Sequence, residues 1–138
     1  MNLTKLTLGL LLIMAAGIAT AQSVTLSSIQ VGASPKSTKD SVTYIVTASA
    51  SALQQGERVI VLAGSAENAG DVSRVTYSVN YKNGKYYLHP GYIWLNGTTI
   101  TASFTFTTQQ LRRVKYLTLY IDKSGTLLSN KLYYKMPQ

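Results

Sequence analysis

Residues 99–107 read Thr-Ile-Thr-Ala-Ser-Phe-Thr-Phe-Thr, and residues 75–82 read Val-Thr-Tyr-Ser-Val-Asn-Tyr-Lys. In both stretches apolar or aromatic side chains alternate with polar ones, which is the period of a β-strand with one buried and one solvated face. Residues 42–48 repeat the pattern less regularly, because Ile45 falls on the other face, and residues 117–121 and 132–136 repeat it again. Residues 59–63 form an unbroken apolar run, typical of a central strand.

Turn residues separate these runs. Asn83-Gly84 and Asn96-Gly97 each predict a two-residue type I′ hairpin turn, because both central positions of that turn need a positive φ. The segment 122–125 predicts a further turn with Gly125 in the left-handed region. Polar loops are expected at 32–40 and 64–71, and one short helical turn at 107–113. We therefore predict an all-β fold, a single antiparallel β-sandwich of about seven to nine strands.

The predicted core of this sandwich joins one residue from each main strand. Alternation places six side chains between the two sheets: Val46, Val61, Val79, Phe104, Leu119 and Leu132.

The C-terminal part of the chain adds a resemblance to a known architecture. From Ile100 to Tyr134 an alternating strand, a loop at 107–113, a second strand, the 122–125 turn and Ser129-Asn130 before a last strand follow one another. This order resembles the E, F and G strands of immunoglobulin-like and fibronectin type III-like modules, which are common in exported bacterial proteins. The chain departs from them in having no cysteine and no leucine-proline-threonine-tyrosine pattern before the second strand. The resemblance implies an immunoglobulin-like fold and no particular activity.

The first residues have the pattern of a cleavable signal peptide. Lys5 precedes an apolar run over residues 6–16, and Ala19-Thr20-Ala21 provides the small residues that a signal peptidase requires. The apolar run is shorter than the roughly 20 residues that span a bilayer. We expect cleavage before Gln22, a β-sandwich domain over 22–138 without a transmembrane segment, and a secreted or extracytoplasmic location.

The charge of the domain restricts its partners only weakly. Without residues 1–21, twelve Lys and Arg remain against five Asp and Glu, a net charge of +7. Such an excess attracts polyanions without specificity, or simply keeps the protein soluble. No zinc-finger, helix-turn-helix or RNA-binding signature is present, so sequence-specific nucleic-acid binding is not expected.

Catalytic and metal-binding residues are scarce. The chain has one histidine, His89, and no cysteine, so neither a catalytic triad nor a zinc site can be assembled from familiar patterns. Glu67 and Asp71 share a loop, but two carboxylates are too few for a good calcium site. We expect no catalytic residue, no metal ligand, no cofactor and no enzymatic activity.

The remaining signal is an aromatic and basic hairpin. Alternation places Tyr77 and Tyr81 inward with Val79, whereas Tyr92 and Trp94 share the face opposite Ile93 and Leu95. The predicted binding residues are Lys82, Lys85, Tyr86, Tyr87, His89, Tyr92 and Trp94. Exposed rings stack on sugars or bases, and lysines favour anionic groups.

Two alternatives stay open at this point. The aromatic residues either form such a surface or belong to the core, with Trp94 as the core tryptophan of the sandwich. The sequence favours a non-catalytic binding or adhesion module at the cell surface, whose partner is an anionic polysaccharide, another glycan, a matrix component or a surface protein. A structural subunit that self-assembles through a sheet edge is the alternative function.

Overall fold

The computed structural model describes residues 23–137, which contain ten strands and one short helix. The predicted signal peptide and its cleavage site before Gln22 lie outside these residues. The elements are β1 (Leu26–Ala33), β2 (Ser41–Ala50), β3 (Arg58–Gly64), β4 (Ser73–Lys82), β5 (Lys85–His89), β6 (Ile93–Trp94), β7 (Thr99–Thr107), α1 (Thr108–Leu111), β8 (Tyr116–Lys123), β9 (Thr126–Leu127) and β10 (Leu132–Lys135).

The strands form two antiparallel sheets. The smaller sheet has the order β1-β2-β7, and the larger has the order β10-β8-β3-β4-β5-β6, with β9 paired to β8. Strands account for 59% of the structure and helix for 3%, so the predicted all-β class is confirmed. The count of ten described strands exceeds the expected seven to nine because β6 and β9 have only two residues each.

The core lies between the sheets, and the continuous apolar run 59–63 is the central strand β3, as predicted, paired with β4 and β8. Five of the six predicted core residues, those at positions 46, 61, 79, 104 and 119, are buried in one cluster. Leu132 is only half-buried against that cluster, because it lies on β10 at the edge of the larger sheet.

The segment just before β10 connects the two sheets by hydrogen bonds to the first residue of β1. The Oδ1 atom of Asn130 accepts a hydrogen bond from the Leu26 N–H at 2.8 Å, and its Nδ2 donates to the Leu26 carbonyl at 3.0 Å. The neighbouring Ser129 is buried and accepts the Ile121 N–H on its hydroxyl at 2.8 Å. The Asn130 side chain therefore pairs with β1 as a strand backbone would.

Strand β7 forms one edge of the smaller sheet, and some backbone N–H groups of this strand already have hydrogen-bond acceptors. The Ser103 N–H donates to the Tyr77 hydroxyl of the other sheet at 3.4 Å. The Thr107 N–H donates to Gln110 Oε1 at 2.9 Å, within a capping box that begins α1. The helical turn predicted at 107–113 is confirmed, and it also covers the end of this edge.

Two predicted turns have the expected backbone. Asn83 and Gly84, between β4 and β5, have φ values of 53° and 81°. Ser124 and Gly125, between β8 and β9, have φ values of 52° and 85°. Both turns therefore carry the two positive φ angles that a type I′ hairpin requires.

The Asn96-Gly97 prediction was wrong in its turn type. Only Gly97 has a positive φ, 63°, and Asn96 accepts the N–H of Thr99 across the turn. The turn closes only one antiparallel bridge, between Asn96 and Thr99, because the chain then leads from β6 in the larger sheet to β7 in the smaller one. Asn96-Gly97 therefore lies where the chain crosses from the larger sheet to the smaller one.

Candidate ligand-binding surface

The β4–β5 hairpin and β6 form one end of the larger sheet and position most of the predicted binding residues. Lys82 lies opposite Lys85, and Tyr87 lies opposite Trp94. Residues directly opposite each other share a face, as do alternate residues of one strand. Lys82, Lys85, Tyr87 and Trp94 therefore lie on one face, together with His89, and this face points away from the core.

Three rings are in contact on that face, and we call Tyr87, Tyr92 and Trp94 the ring surface. The rings of Tyr87 and Tyr92 are stacked, with centroids 4.9 Å apart and planes 9° apart. The Trp94 ring lies beside Tyr87 with centroids 5.0 Å apart and planes inclined by 48°. Tyr92 is 58% exposed and Trp94 50% exposed, whereas Tyr87 is half-buried between them.

The backbone that presents Tyr92 is unusual. Tyr92 has a φ of 50° and follows Gly91, whose φ is 102°. A left-handed conformation costs a non-glycine residue about 1–2 kcal/mol. The stack on Tyr87 offsets part of that cost, since aromatic pairs contribute roughly 0.5–1.5 kcal/mol beyond the area they bury. The turn 90–92 therefore keeps the Tyr92 ring exposed at this position, although exposure to solvent does not stabilise it there.

The alternative in which Trp94 is the core tryptophan of the sandwich was wrong. The other side of this strand faces the interior instead, with Ile93 half-buried and Leu95 buried. The expectation that Tyr81 is inward also failed in part. Tyr81 lies on the same side of β4 as the buried Tyr77, but it is 50% exposed at the hairpin end of the strand.

Tyr86 is separated from the other predicted binding residues. It lies on the core-facing side of β5, half-buried, with its ring edge-on to Tyr81 at 4.8 Å between centroids. Because Tyr87 is its neighbour in sequence, the two side chains point to opposite faces of the sheet. The structure brings six of the seven predicted residues together and leaves Tyr86 out.

Positive charge borders the ring surface. A shallow depression of about 390 Å³ is lined by Lys82, Asn83, Lys85 and Trp94. His89 is exposed beyond Tyr87, and its ring meets Tyr92 edge-on with centroids 6.0 Å apart. The surface therefore combines exposed ring faces with cations at the turn end.

Asn83 and Asn80 were missed as members of this surface. Asn83 lines the depression beside the lysines, although its sequence signal is fully explained by the turn. Asn80 lies opposite Tyr87 on the same face. Its position two residues before Lys82 is the signal that places it there, because period two keeps both on one side.

Two of the acids, Asp122 and Asp71, have structural partners. Asp122 forms a bidentate ion pair with Arg58, and both hydrogen bonds are 2.7 Å long. The hydrogen bonding and the negative charge of the carboxylate raise the pKa of the Arg58 guanidinium. Asp71 accepts the N–H and the hydroxyl of Ser65 at 2.9 and 3.0 Å, and these bonds lower the pKa of its carboxyl. Residues 23–137 hold no group of three or more His, Cys, Asp or Glu able to bind a metal ion.

Comparison with protein-family profiles, with curated proteins and with solved structures gives no match for this chain. The resemblance to immunoglobulin-like modules therefore remains a prediction. Within residues 23–137, no helix is long and apolar enough to cross a membrane.

Proposed function

We propose that this protein is an exported, non-catalytic binding module that engages a glycan through the ring surface. The observation that carries the proposal is the contact of Tyr87, Tyr92 and Trp94 on the outer face of the larger sheet, with two of the three rings at least half exposed. The signal-peptide pattern of residues 1–21 supports a location where extracellular glycans occur.

The physical basis is the match between flat rings and sugar rings. Burying an aromatic side chain removes about 150–250 Å² of its surface from water. A partner that covers these half-exposed rings therefore gains free energy from burying the surface that is still exposed. The apolar face of a pyranose can cover such rings, and its hydroxyls can reach polar neighbours such as Asn80 and Asn83. The stack fixes Tyr92 against Tyr87 before binding, which reduces the entropy lost when a ligand docks.

Two features of the edges of the smaller sheet weigh against the alternative of a subunit that self-assembles through them. Self-assembly through an edge needs a row of unpaired backbone groups. On β7 the Ser103 N–H is taken by Tyr77 and the Thr107 N–H by Gln110. On β1 a bulge with Ser28 at a φ of 59° interrupts the strand. These are devices that natural sheets use to avoid edge-to-edge pairing.

We also propose that the fold is immunoglobulin-like. In that architecture one sheet contains strands G, F and C, with further strands added beside C, and the other contains A, B and E. The orders β10-β8-β3-β4 and β1-β2-β7 follow this arrangement, with β7, β8 and β10 at the positions of E, F and G. Since this fold serves many unrelated functions, it supports a binding role without specifying one.

The test is a binding screen against neutral and acidic polysaccharides at two salt concentrations, with single-stranded nucleic acid as a further probe. Trp94 is the only tryptophan of the chain, so its fluorescence reports directly on the ring surface. We expect a blue shift of the emission and loss of quenching by acrylamide when a glycan covers the ring. Tyr92→Ala, followed by Trp94 fluorescence, and Trp94→Ala, followed by affinity electrophoresis because it has no tryptophan, should each weaken binding at least about tenfold, as the loss of one stacked ring implies.

Tyr133→Ala is the matched control, because Tyr133 is a 41% exposed tyrosine on β10 at the far end of the same sheet. It should leave binding unchanged. The proposal fails if no polysaccharide binds, if single-stranded nucleic acid binds in place of every glycan, or if all three variants weaken binding equally.

A further inference from the structure

We propose that the glycan bound by the ring surface is an acidic polysaccharide, which carries carboxylates on its sugar rings, and that Lys82 and Lys85 bind those carboxylates. This inference rests on the proposed glycan-binding function and narrows its ligand to uronate-type chains. It is carried by the position of the two lysines beside Trp94 in one depression.

The two lysines form a concentrated positive charge that no carboxylate among residues 23–137 neutralises. Lys82 and Lys85 are directly opposite each other across the β4–β5 hairpin, where like charges repel. The ion pair found within residues 23–137 is Arg58–Asp122, so neither lysine is neutralised by a carboxylate of the described chain. An anion placed between them would relieve the repulsion, which makes the turn end of the surface selective for negative charge.

The spacing of the outward residues on β5 suits a chain rather than a single sugar. Lys85, Tyr87 and His89 alternate along the strand, so the first and last are about 13 Å apart at a strand rise of 3.3 Å per residue. Rings lie in the middle of this line and cations at its Lys85 end. A sugar stacked by its face on the rings has its carboxylate at the ring edge, in reach of flanking ammonium groups.

The number of cations in the depression suits carboxylates spaced one per sugar. The depression contains two lysines and no arginine. Lysine acts as a compact point charge, which is adequate for the charge density of a uronate chain.

The experiment compares two probes that share one sugar chain, polygalacturonate and its fully methyl-esterified form, which lacks the charges. Trp94 fluorescence and affinity electrophoresis measure binding of the full domain at low and high salt. We expect polygalacturonate to bind at least about fivefold more tightly at low salt. The double variant Lys82→Gln with Lys85→Gln should abolish this preference while retaining binding of the ester.

Lys36→Gln with Lys123→Gln is the matched control, because it removes the same charge from exposed positions outside the depression. It should keep the preference for the acidic chain. Equal loss in both double variants would show that net charge alone attracts the polymer and would overturn the inference. Equal binding of the two probes, lost in Trp94→Ala, would overturn the acidic ligand but keep the proposed function. Failure of both probes together with all neutral glycans would overturn both.

Discussion

The side-chain amide of Asn130 pairs with both main-chain groups of Leu26, 104 positions away in the sequence. Leu26 is buried, and its strand belongs to the smaller sheet, whereas Asn130 immediately precedes the part of the chain that forms the edge of the larger one. One amide thus satisfies a donor and an acceptor that the end of β1 would otherwise leave open, and it holds the two sheets together at this corner.

Replacing Asn130 should therefore destabilise the whole domain. Asn130→Ala leaves the Leu26 N–H and carbonyl without their partner, and each partly buried unsatisfied group costs about 1–3 kcal/mol. We expect the urea midpoint to fall with an unchanged m-value. Asn80→Ala is the control, because the side chain of Asn80 makes one long bond of 3.4 Å to Ser78. An Asn130→Ala midpoint equal to that of the control would contradict the prediction.

The core prediction concerns Phe104. Its ring is 3% exposed and stacks on Phe106 at 5.3 Å between centroids. Truncation to Ala should lower the free energy of unfolding by about 3–5 kcal/mol, because a large buried ring leaves a cavity that neighbours fill only partly. Ser103→Ala, on the exposed side of the same strand, should change it by less than about 0.5 kcal/mol. Denaturation followed by circular dichroism measures both variants.

Most of the fold could be predicted from the sequence, because strands β2, β3, β4, β7, β8 and β10 alternate or are continuously apolar. Strand β1 was not recognised. A register shift between Ser27 and Gln30 breaks its period, so Leu26 is buried while Ile29 and Val31 are only partly covered. The position of a bulge depends on the partner strand, so the local sequence pattern does not predict it.

The site could be predicted only in part, for a different physical reason. Alternation correctly placed Trp94 and Tyr92 on one side, but which side faces solvent depends on which side of the larger sheet the smaller sheet covers. The stacking of Tyr92 on Tyr87 depends on a left-handed φ at a tyrosine, which propensity argues against. Tyr86 was assigned to the site because it is close in sequence, although neighbours on a strand point apart.

The stability of the loop 65–72 should depend on acid pH through Asp71. Its folded-state pKa is lowered by the hydrogen bonds from Ser65, so the carboxylate stabilises the fold fully above the unfolded value of about 3.9. That contribution is lost as the pH falls from there through the lower folded pKa. Asp71→Asn should therefore be less stable than wild type at pH 6, and the gap should shrink towards pH 2.

Urea midpoints measured between pH 6 and pH 2 test this dependence. Asp40→Asn serves as the control, since it removes one carboxylate from another exposed loop and corrects for the change in net charge. A gap between Asp71→Asn and wild type that stays constant with pH would show that the Ser65 bonds do not favour the ionised carboxyl.

The strained backbone of Tyr92 can be separated from its ring by two substitutions. Tyr92→Gly and Tyr92→Ala both remove the ring that stacks on Tyr87, but only glycine adopts a φ of 50° without a steric penalty. We expect the glycine variant to be more stable than the alanine variant by about 1 kcal/mol. Under the proposed function, both variants should lose glycan binding to the same extent, because both remove the ring on which the proposed contact depends. Far-ultraviolet circular dichroism measures stability independently of Trp94, and equal stability of the two variants would show that the turn holds no strain at this position.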